Sequence, residues 1–448
     1  MQYHFIAIGG SAMHNLALAL SQKGYQVTGS DDQIFEPSRS RLKAAGILPE
    51  EDGWFPEKIH KNLDGVILGM HARAGNPELE KAKELGLPIY SYPEFLYHAA
   101  KDKTRVVIGG SHGKTSITAM LLHVLNAQNL DFDYMVGAQL DGFHTMVKIS
   151  DAPIMVLEGD EYLSSPLDPR PKFHWYQPHH AVISGIAWDH INVFPTFDNY
   201  LEQFRIFARS VKHSLFYAAS DQHLNEMIPA LDLSAQAKPY QAPDHRIEDG
   251  KTIITHQGKA YALEVFGEHN LYNLNAAMHL AQELGVKPDE FYSAISSFTG
   301  ASRRLEKIVE KPGFTAFKDF AHSPSKVKAT VKAVRDQFPN RKLYALLELH
   351  TFSSLTAEFL KEYEGAMQGP EKAMVYYNPA TIAHKKLEPI SVDQVKEAFQ
   401  QETLEVYTDS TLAMETLSKQ SMENAVVLIM SSGNFDGKDI DAFLKGLV

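Results

Sequence analysis

The sequence predicts an α/β protein of three consecutive blocks, 1–102, 103–300 and 301–448. In each block, short β-rich runs end in glycine turns and alternate with segments of helical apolar spacing. That is the pattern of a mostly parallel sheet with helical crossovers. The length of 448 residues exceeds what one hydrophobic core supports. A charged stretch, Lys101-Asp102-Lys103, separates the first block from the second, and the last third begins near Ser302-Arg303-Arg304.

The first block opens with a strand, Tyr3-His4-Phe5-Ile6-Ala7-Ile8, and the turn Gly9-Gly10-Ser11-Ala12-Met13. An apolar helix around Leu16–Leu20 follows, then a strand Tyr25–Gly29 that delivers Ser30-Asp31-Asp32. A dinucleotide-type βαβ unit looks like this, with an acidic residue after its second strand taking a ribose hydroxyl. The glycines do not have G-x-G-x-x-G spacing, so a plain glycine turn with a solvated Asp31 stays open. Val66–Gly69, a helix to Leu85 and Pro88–Tyr90 continue the alternation.

The second block begins with Thr104–Leu125, in which the run Arg105–Ile108 enters Gly109-Gly110-Ser111-His112-Gly113-Lys114-Thr115-Ser116 and then a helix. Strand, glycine loop and helix start form a phosphate cradle. Glycines let backbone N–H groups approach the oxygens, and the helix N-terminus adds unpaired donors and partial positive charge. Lys114 suits the β/γ-phosphates and the Thr115 hydroxyl suits Mg²⁺. Gly110 and Gly113 enclose two residues, where the usual loop has four. The strand Ala152–Leu157 exits at Glu158-Gly159-Asp160-Glu161, and a carboxylate beside a phosphate loop commonly holds Mg²⁺. A solvated acidic turn is the alternative. Ala181–Ile186 leads to Trp188-Asp189-His190-Ile191-Asn192, where His190 is either structural or a second metal ligand. Residues 213–265 read as short strands and loops. Gly267–Ala277 starts a helix rich in polar groups; Asn side chains there could pair with a purine edge or simply cap the helix.

In the third block a strand leads to Phe317-Lys318-Asp319-Phe320-Ala321-His322-Ser323-Pro324 and a basic amphipathic helix, Lys326–Phe338. Leu343–Leu347 enters Glu348-Leu349-His350, and Ala425–Met430 enters the glycine loop Ser431–Gly437. Arg303-Arg304 would ordinarily be solvated, though Arg beside a nucleotide can stabilise a transferring phosphoryl group.

Composition narrows the classes. At 44% hydrophobic and 22% charged the chain reads as globular. A formal net charge of −12 argues against a nucleic-acid partner. Without cysteine there is no disulfide, thiolate metal site or thiol nucleophile, which fits a cytoplasmic location. The first apolar run is too short for a signal peptide, and no stretch approaches the roughly 18 apolar residues of a membrane span.

Taken in order, Gly110–Thr115, Glu158–Glu161, Trp188-Asp189-His190, Gly267-Glu268-His269-Asn270 with Asn273, Arg303-Arg304 and Asp319–His322 resemble the Mur ligases over essentially the whole chain. These are ATP-dependent ligases that build the peptide stem of bacterial peptidoglycan, and their phosphate loop is short. The resemblance implies an N-terminal Rossmann-like domain holding a UDP substrate through Gly10, Ser11, Ala12, Met13 and Asp31. A central P-loop ATPase-type domain and a C-terminal Rossmann-like domain for the amine follow. It implies ATP and Mg²⁺ as cofactors. Lys114, Glu158, His190, Arg304 and Asp319 would be catalytic, and Thr115, Glu158 and His190 would ligate metal. Gly110, Ser111, His112, Gly113, Lys114, Thr115 and Ser116 would line the nucleotide together with His269, Asn270, Asn273 and Arg304. His322 and His350 would face the amine. A monomer or weak dimer is expected.

Within the family, Val156–Tyr162, Lys172–Tyr176 and Met430–Gly437 look more like the branch that rejoins a recycled tripeptide, L-alanyl-γ-D-glutamyl-meso-diaminopimelate, to UDP-N-acetylmuramate. The branch that adds L-alanine to the same acceptor is the alternative. His350 stands where the recycling branch usually has Arg, Ser323 where a second His is common, and Leu163 where Asp is usual. No lysine clearly matches the carbamylated lysine of some members; Lys212 is the nearest candidate. An NAD(P)-dependent oxidoreductase would leave Lys114-Thr115 without a role, and a folylpolyglutamate-type ligase usually lacks the N-terminal block. A regulatory nucleotide-binding protein would show no turnover.

Overall fold

The computed structural model describes residues 1–448 except His71, Asp141, 189–192, Asp249 and 301–304. The chain forms two compact units. The first comprises Met1–Ala242 and Tyr272–Ile295, and the second Pro243–Leu271 and Ser296–Val448.

The first unit contains two large sheets and a two-stranded antiparallel ribbon, Leu163–Ser165 with Asp168–Pro171. A four-stranded parallel sheet runs in the order Gln26–Ser30, Gln2–Ile6, Gly65–Leu68, Ile89–Ser91. Its interior strand Gly65–Leu68 and the Phe5-Ile6 end of its neighbour are apolar and buried; Ile6, Val66 and Leu68 pack with Leu79 of the helix Pro77–Glu84. The helix Ser11–Gln22 starts at Gly10 without a side-chain cap, so its first-turn N–H groups stay available at the strand edge. The second sheet has seven strands, in the order Gln236–Tyr240, Ser214–Ala218, His180–Ile183, Thr104–Gly109, Ile154–Glu158, Phe132–Met135 and Val147–Lys148. All neighbours are parallel except the last pair. Thr104–Gly109 is therefore central, and the chain exits from it and from both its neighbours at one sheet edge. That is where α/β folds place ligands. Residues 213–240, uninformative in sequence, supply two of these strands. Ser214–Ala218 shows no alternation because it is buried throughout, and Gln236–Tyr240 shows none because it is a polar edge strand with only Tyr240 buried.

The second unit carries a small antiparallel sheet, His245–Glu248, Lys251–His256 and Lys259–Leu263. It also carries a six-stranded sheet in the order Glu306–Lys311, Phe314–Asp319, Ala425–Met430, Lys342–Leu349, Lys372–Tyr377, Glu405–Tyr407. Only its first strand is antiparallel to its neighbour. The strand Lys342–Leu349 shows the period of two. Leu343, Ala345, Leu347 and Leu349 enter one core with Phe317 and Val331, while Tyr344 and Leu346 enter the other with Phe314 and Leu444. Among the described residues no helix is long and apolar enough to cross a membrane.

Candidate active site

The phosphate loop is built as its residue types demand. Gly113 precedes the helix Lys114–Ala127 with a left-handed φ of 78°. A Cβ added there would lie 2.3 Å from Asn273 Oδ1, and one added at Gly110 (φ 123°) would lie 2.3 Å from Ser184 Oγ. Gly113→Ala should therefore destabilise the protein by about 1–2 kcal/mol from backbone strain alone, and more if Asn273 cannot move aside. Urea denaturation at neutral pH measures it. Asn273, a predicted nucleotide residue, is thus brought against the loop.

Lys114 is nearly enclosed. Its Nζ donates to the Gly110 carbonyl at 2.6 Å and to Glu161 Oε2 at 2.7 Å, with 15% of the side chain exposed. Burial alone would lower its pKa, but Glu161, Asp160 and Glu158 reverse this and raise it, so the ammonium stays charged. Glu158 ends the neighbouring strand. Its Oε1 accepts from Thr115 Oγ1 at 2.9 Å and its Oε2 from the Gly137 N–H at 2.7 Å. Burial raises the pKa of this carboxyl. Ser184, at the exit of the strand on the other side, donates to the His112 carbonyl and braces the loop. Ser116 lies in the helix's first turn. The run Lys172–Tyr176 lies beneath: Phe173 is fully buried and Lys172 pairs with Asp160 at 2.5 Å.

His190 and Arg304 lie outside the described residues. Among the described residues no group of three or more His, Asp or Glu side chains could hold a metal ion. Thr115 and Glu158 together offer a hydroxyl and a carboxylate at the same point. Lys212 precedes the strand Ser214–Ala218, where its N–H bonds the Pro178 carbonyl. That is the sheet edge opposite the phosphate loop, so Lys212 is not the active-site lysine the sequence offered as nearest candidate.

In the N-terminal sheet, Ser11 and Ala12 are exposed at the helix start, Gly10 is half-buried and Met13 is buried. Asp31 is only 3% exposed, and its Oδ2 accepts from the Gly9 N–H at 2.7 Å. It braces the glycine loop instead of standing solvated. Burial, only partly offset by that bond, lifts its pKa from 3.8 to about 6. A raised acid favours folding when protonated: its contribution is full below pH 3.8 and is lost as pH rises through about 6. Asp31→Asn should remove this dependence, so the stability difference between variant and wild type should shift by about 3 kcal/mol across that window. Denaturation at pH 4 and pH 7 reads it directly.

In the second unit, the described site residues gather where the strands of the six-stranded sheet end. Asp319 is 7% exposed; it accepts from Ala321 N at 2.5 Å and from the Leu305 N–H. It thereby fixes the residue that follows Arg304 in sequence. His322 bonds the Phe320 carbonyl at 2.7 Å through Nδ1. His350 lies 3.7 Å from Glu348, and a Cβ on Gly433 would meet both side chains. Glu348, which sequence reasoning passed over, is 2% exposed and accepts from Ser431 Oγ and the Phe435 N–H. His269 and Asn270 also belong to this unit. Burial lowers the His269 pKa to about 4, leaving a neutral ring, and Asn270 Nδ2 donates to the Phe266 carbonyl at 2.9 Å.

Comparison with known proteins identifies the family. Residues 2–104 match the description "Mur ligase family, catalytic domain", 108–281 "Mur ligase middle domain" and 303–433 "Mur ligase, glutamate ligase domain". A UDP-N-acetylmuramate–L-alanine ligase of Lactobacillus acidophilus is 30% identical over 455 aligned positions, covering 99% of this chain and 98% of that one. The chain belongs to the Mur ligase family. As a Mur ligase it is an ATP-dependent ligase of peptidoglycan synthesis or recycling. It is also 28% identical over 448 positions to a Haemophilus influenzae protein named UDP-N-acetylmuramate–L-alanyl-γ-D-glutamyl-meso-2,6-diaminoheptandioate ligase, covering 97% of this chain and 96% of the relative. Among solved Mur ligases, the UDP-N-acetylmuramate-alanine ligase of Thermotoga maritima superposes with a TM-score of 0.69 at 21% identity, covering 100% of this chain and 98% of that one. This shows the shared three-domain fold. The tripeptide ligase of Neisseria meningitidis gives 0.61 at 26% identity, covering 67% of this chain and 99% of that one.

Proposed function

We propose that this Mur ligase joins L-alanyl-γ-D-glutamyl-meso-diaminopimelate to UDP-N-acetylmuramate during peptidoglycan recycling. The observation that carries this reading is the end-to-end match to the Haemophilus influenzae relative of that activity. A second reading, ligation of L-alanine, is favoured by the match to the Lactobacillus acidophilus relative.

A carboxylate is a poor electrophile and must be activated. The N-acetylmuramate carboxylate oxygen attacks the γ-phosphorus of ATP. The bond to the β-phosphate oxygen breaks, and ADP leaves with the electron pair. The amine nitrogen then attacks the acyl carbon, phosphate departs with the C–O pair, and the ammonium sheds a proton. Negative charge gathers on phosphoryl oxygens in both steps, so fixed cations and N–H donors carry the catalysis. Lys114 and the loop amides hold the β/γ-phosphates. Thr115 and Glu158 fit a hard divalent cation, which takes oxygen donors and leaves the remaining positions to phosphates and water. When bound there, Mg²⁺ neutralises phosphoryl charge. Gly10–Met13 present the helix N-terminus to the UDP diphosphate, and Asp31 holds that loop in shape. Asp319 holds Leu305, and His322 and His350 stand on the amine side.

Phosphate release with ATP, Mg²⁺ and UDP-N-acetylmuramate decides between amines. Release with the tripeptide alone is expected. Release with free L-alanine alone would transfer the protein to the second reading.

A further inference from the structure

We propose that Tyr200 and Glu161 are positioning residues that hold the Lys114 ammonium on the γ-phosphate; this rests on the phosphate-loop reading above. Tyr200 lies on the helix Phe197–Ser210 and is fully buried. Its hydroxyl is 3.1 Å from Glu161 Oε1 and 2.8 Å from Ser111 Oγ, and Ser111 Oγ in turn accepts from the Ala187 N–H at 2.9 Å. The other Glu161 oxygen holds Lys114 at 2.7 Å. The side chain of Glu161 is 1% exposed.

The proton positions along this chain follow from its ends. An ionised carboxylate only accepts, so the Tyr200 hydroxyl donates to Glu161. The Tyr200 oxygen then accepts from the Ser111 hydroxyl, whose oxygen accepts from Ala187. Every donor points toward Glu161, an arrangement in which each bond strengthens the next. The carboxylate cannot swing away from Lys114 without breaking the bond to Tyr200. An ammonium has three N–H donors. Two are taken, by Gly110 and Glu161. The third is left for a phosphate oxygen. Glu161 therefore fixes the ammonium without competing for the nucleotide. The same chain ties Lys114 back to Ser111 at the start of its own loop.

The test needs neither the sugar nucleotide nor the amine. Fluorescent methylanthraniloyl derivatives of ADP and of the non-hydrolysable analogue AMP-PNP are titrated with Mg²⁺, and the ratio of the two affinities reports the grip on the γ-phosphate. Tyr200→Phe keeps the ring and removes both hydrogen bonds of the hydroxyl, only one of which reaches Glu161, so the ratio should fall about fivefold. Glu161→Gln should lower it about tenfold or more, because the bond it weakens is to a charged group. The double variant should fall within about twofold of Glu161→Gln alone, since both changes cut one chain. A role confined to folding would lower the melting temperature and both affinities together and leave the ratio unchanged. An unmoved ratio in Tyr200→Phe, or a double variant that falls by the product of the single effects, would overturn the proposal. If Glu161→Gln fails to fold, Tyr200→Phe paired with Ser111→Ala makes the same comparison. Wild-type protein that binds neither nucleotide would instead sink the phosphate-loop reading on which the proposal rests.

Discussion

Lys114→Ala should lower the rate of phosphate release by about a thousandfold, the scale on which a single preorganised charge donor acts in such sites. The loss should appear in kcat, because the ammonium meets charge that grows in the transition state. The same substitution should also destabilise the fold. Glu161 would keep Tyr200 but lose its cation while buried, and breaking such a pair costs on the order of 3 kcal/mol. The two effects separate in Lys114→Ala/Glu161→Gln, where the orphaned charge is gone. That double variant should recover most of the stability and none of the turnover. Melting curves beside single-turnover phosphate release make the comparison. Near-normal turnover in Lys114→Ala would mean that the loop does not hold the nucleotide.

Glu158→Gln should be nearly as costly to turnover, about a hundredfold or more, and should raise the Mg²⁺ concentration needed for half-maximal rate. Stability should move the other way. The amide can still accept from the Gly137 N–H and can donate to Thr115, so no polar group is stranded. Burial raises the pKa of the native carboxyl, so its protonated form favours folding and that contribution fades as pH rises through the raised value. Gln has no such dependence. The variant should therefore match or exceed wild-type stability at neutral pH while losing activity. A Mg²⁺ titration of phosphate release, with a denaturation curve alongside, measures both.

The strand, glycine loop and helix start at Thr104–Ala127 were legible in sequence because their residues are local: strand, glycines, Lys114 and Thr115 follow one another. Glu158 was legible from its place at a strand end. Asp31 was seen as an acid after a strand, but its grip on the Gly9 N–H depends on a glycine turn earlier in the chain packing back onto it. Tyr200 and Glu348 could not be singled out. Each is one polar residue in an apolar pattern, and its role appears only when distant segments meet. Ser184 likewise means nothing until Gly110 is seen to leave no room for a side chain. Residues 213–240 gave a weak strand signal because Ser214–Ala218 is buried throughout and loses the alternation that marks a strand, while Gln236–Tyr240 is a short, polar edge strand.

The chain leaves the first compact unit at Pro243, returns at Tyr272 and leaves again at Ser296. The returning stretch is not decoration: Leu274, Ala277, Leu280 and Ala281 are fully buried, Tyr272 meets the ring of Tyr240, and His279 stacks on Phe216 at 4.9 Å. On the ribosome, a nascent chain that has reached residue 242 therefore holds every strand of the seven-stranded sheet and still lacks part of its cover. It must wait, with apolar surface open, until the next fifty or so residues emerge at about 5–20 per second. A fragment cut at Ala242 would be frozen in that state and prone to aggregate. Isolating the first compact unit thus calls for supplying 272–295 as a separate peptide or by permuting the chain.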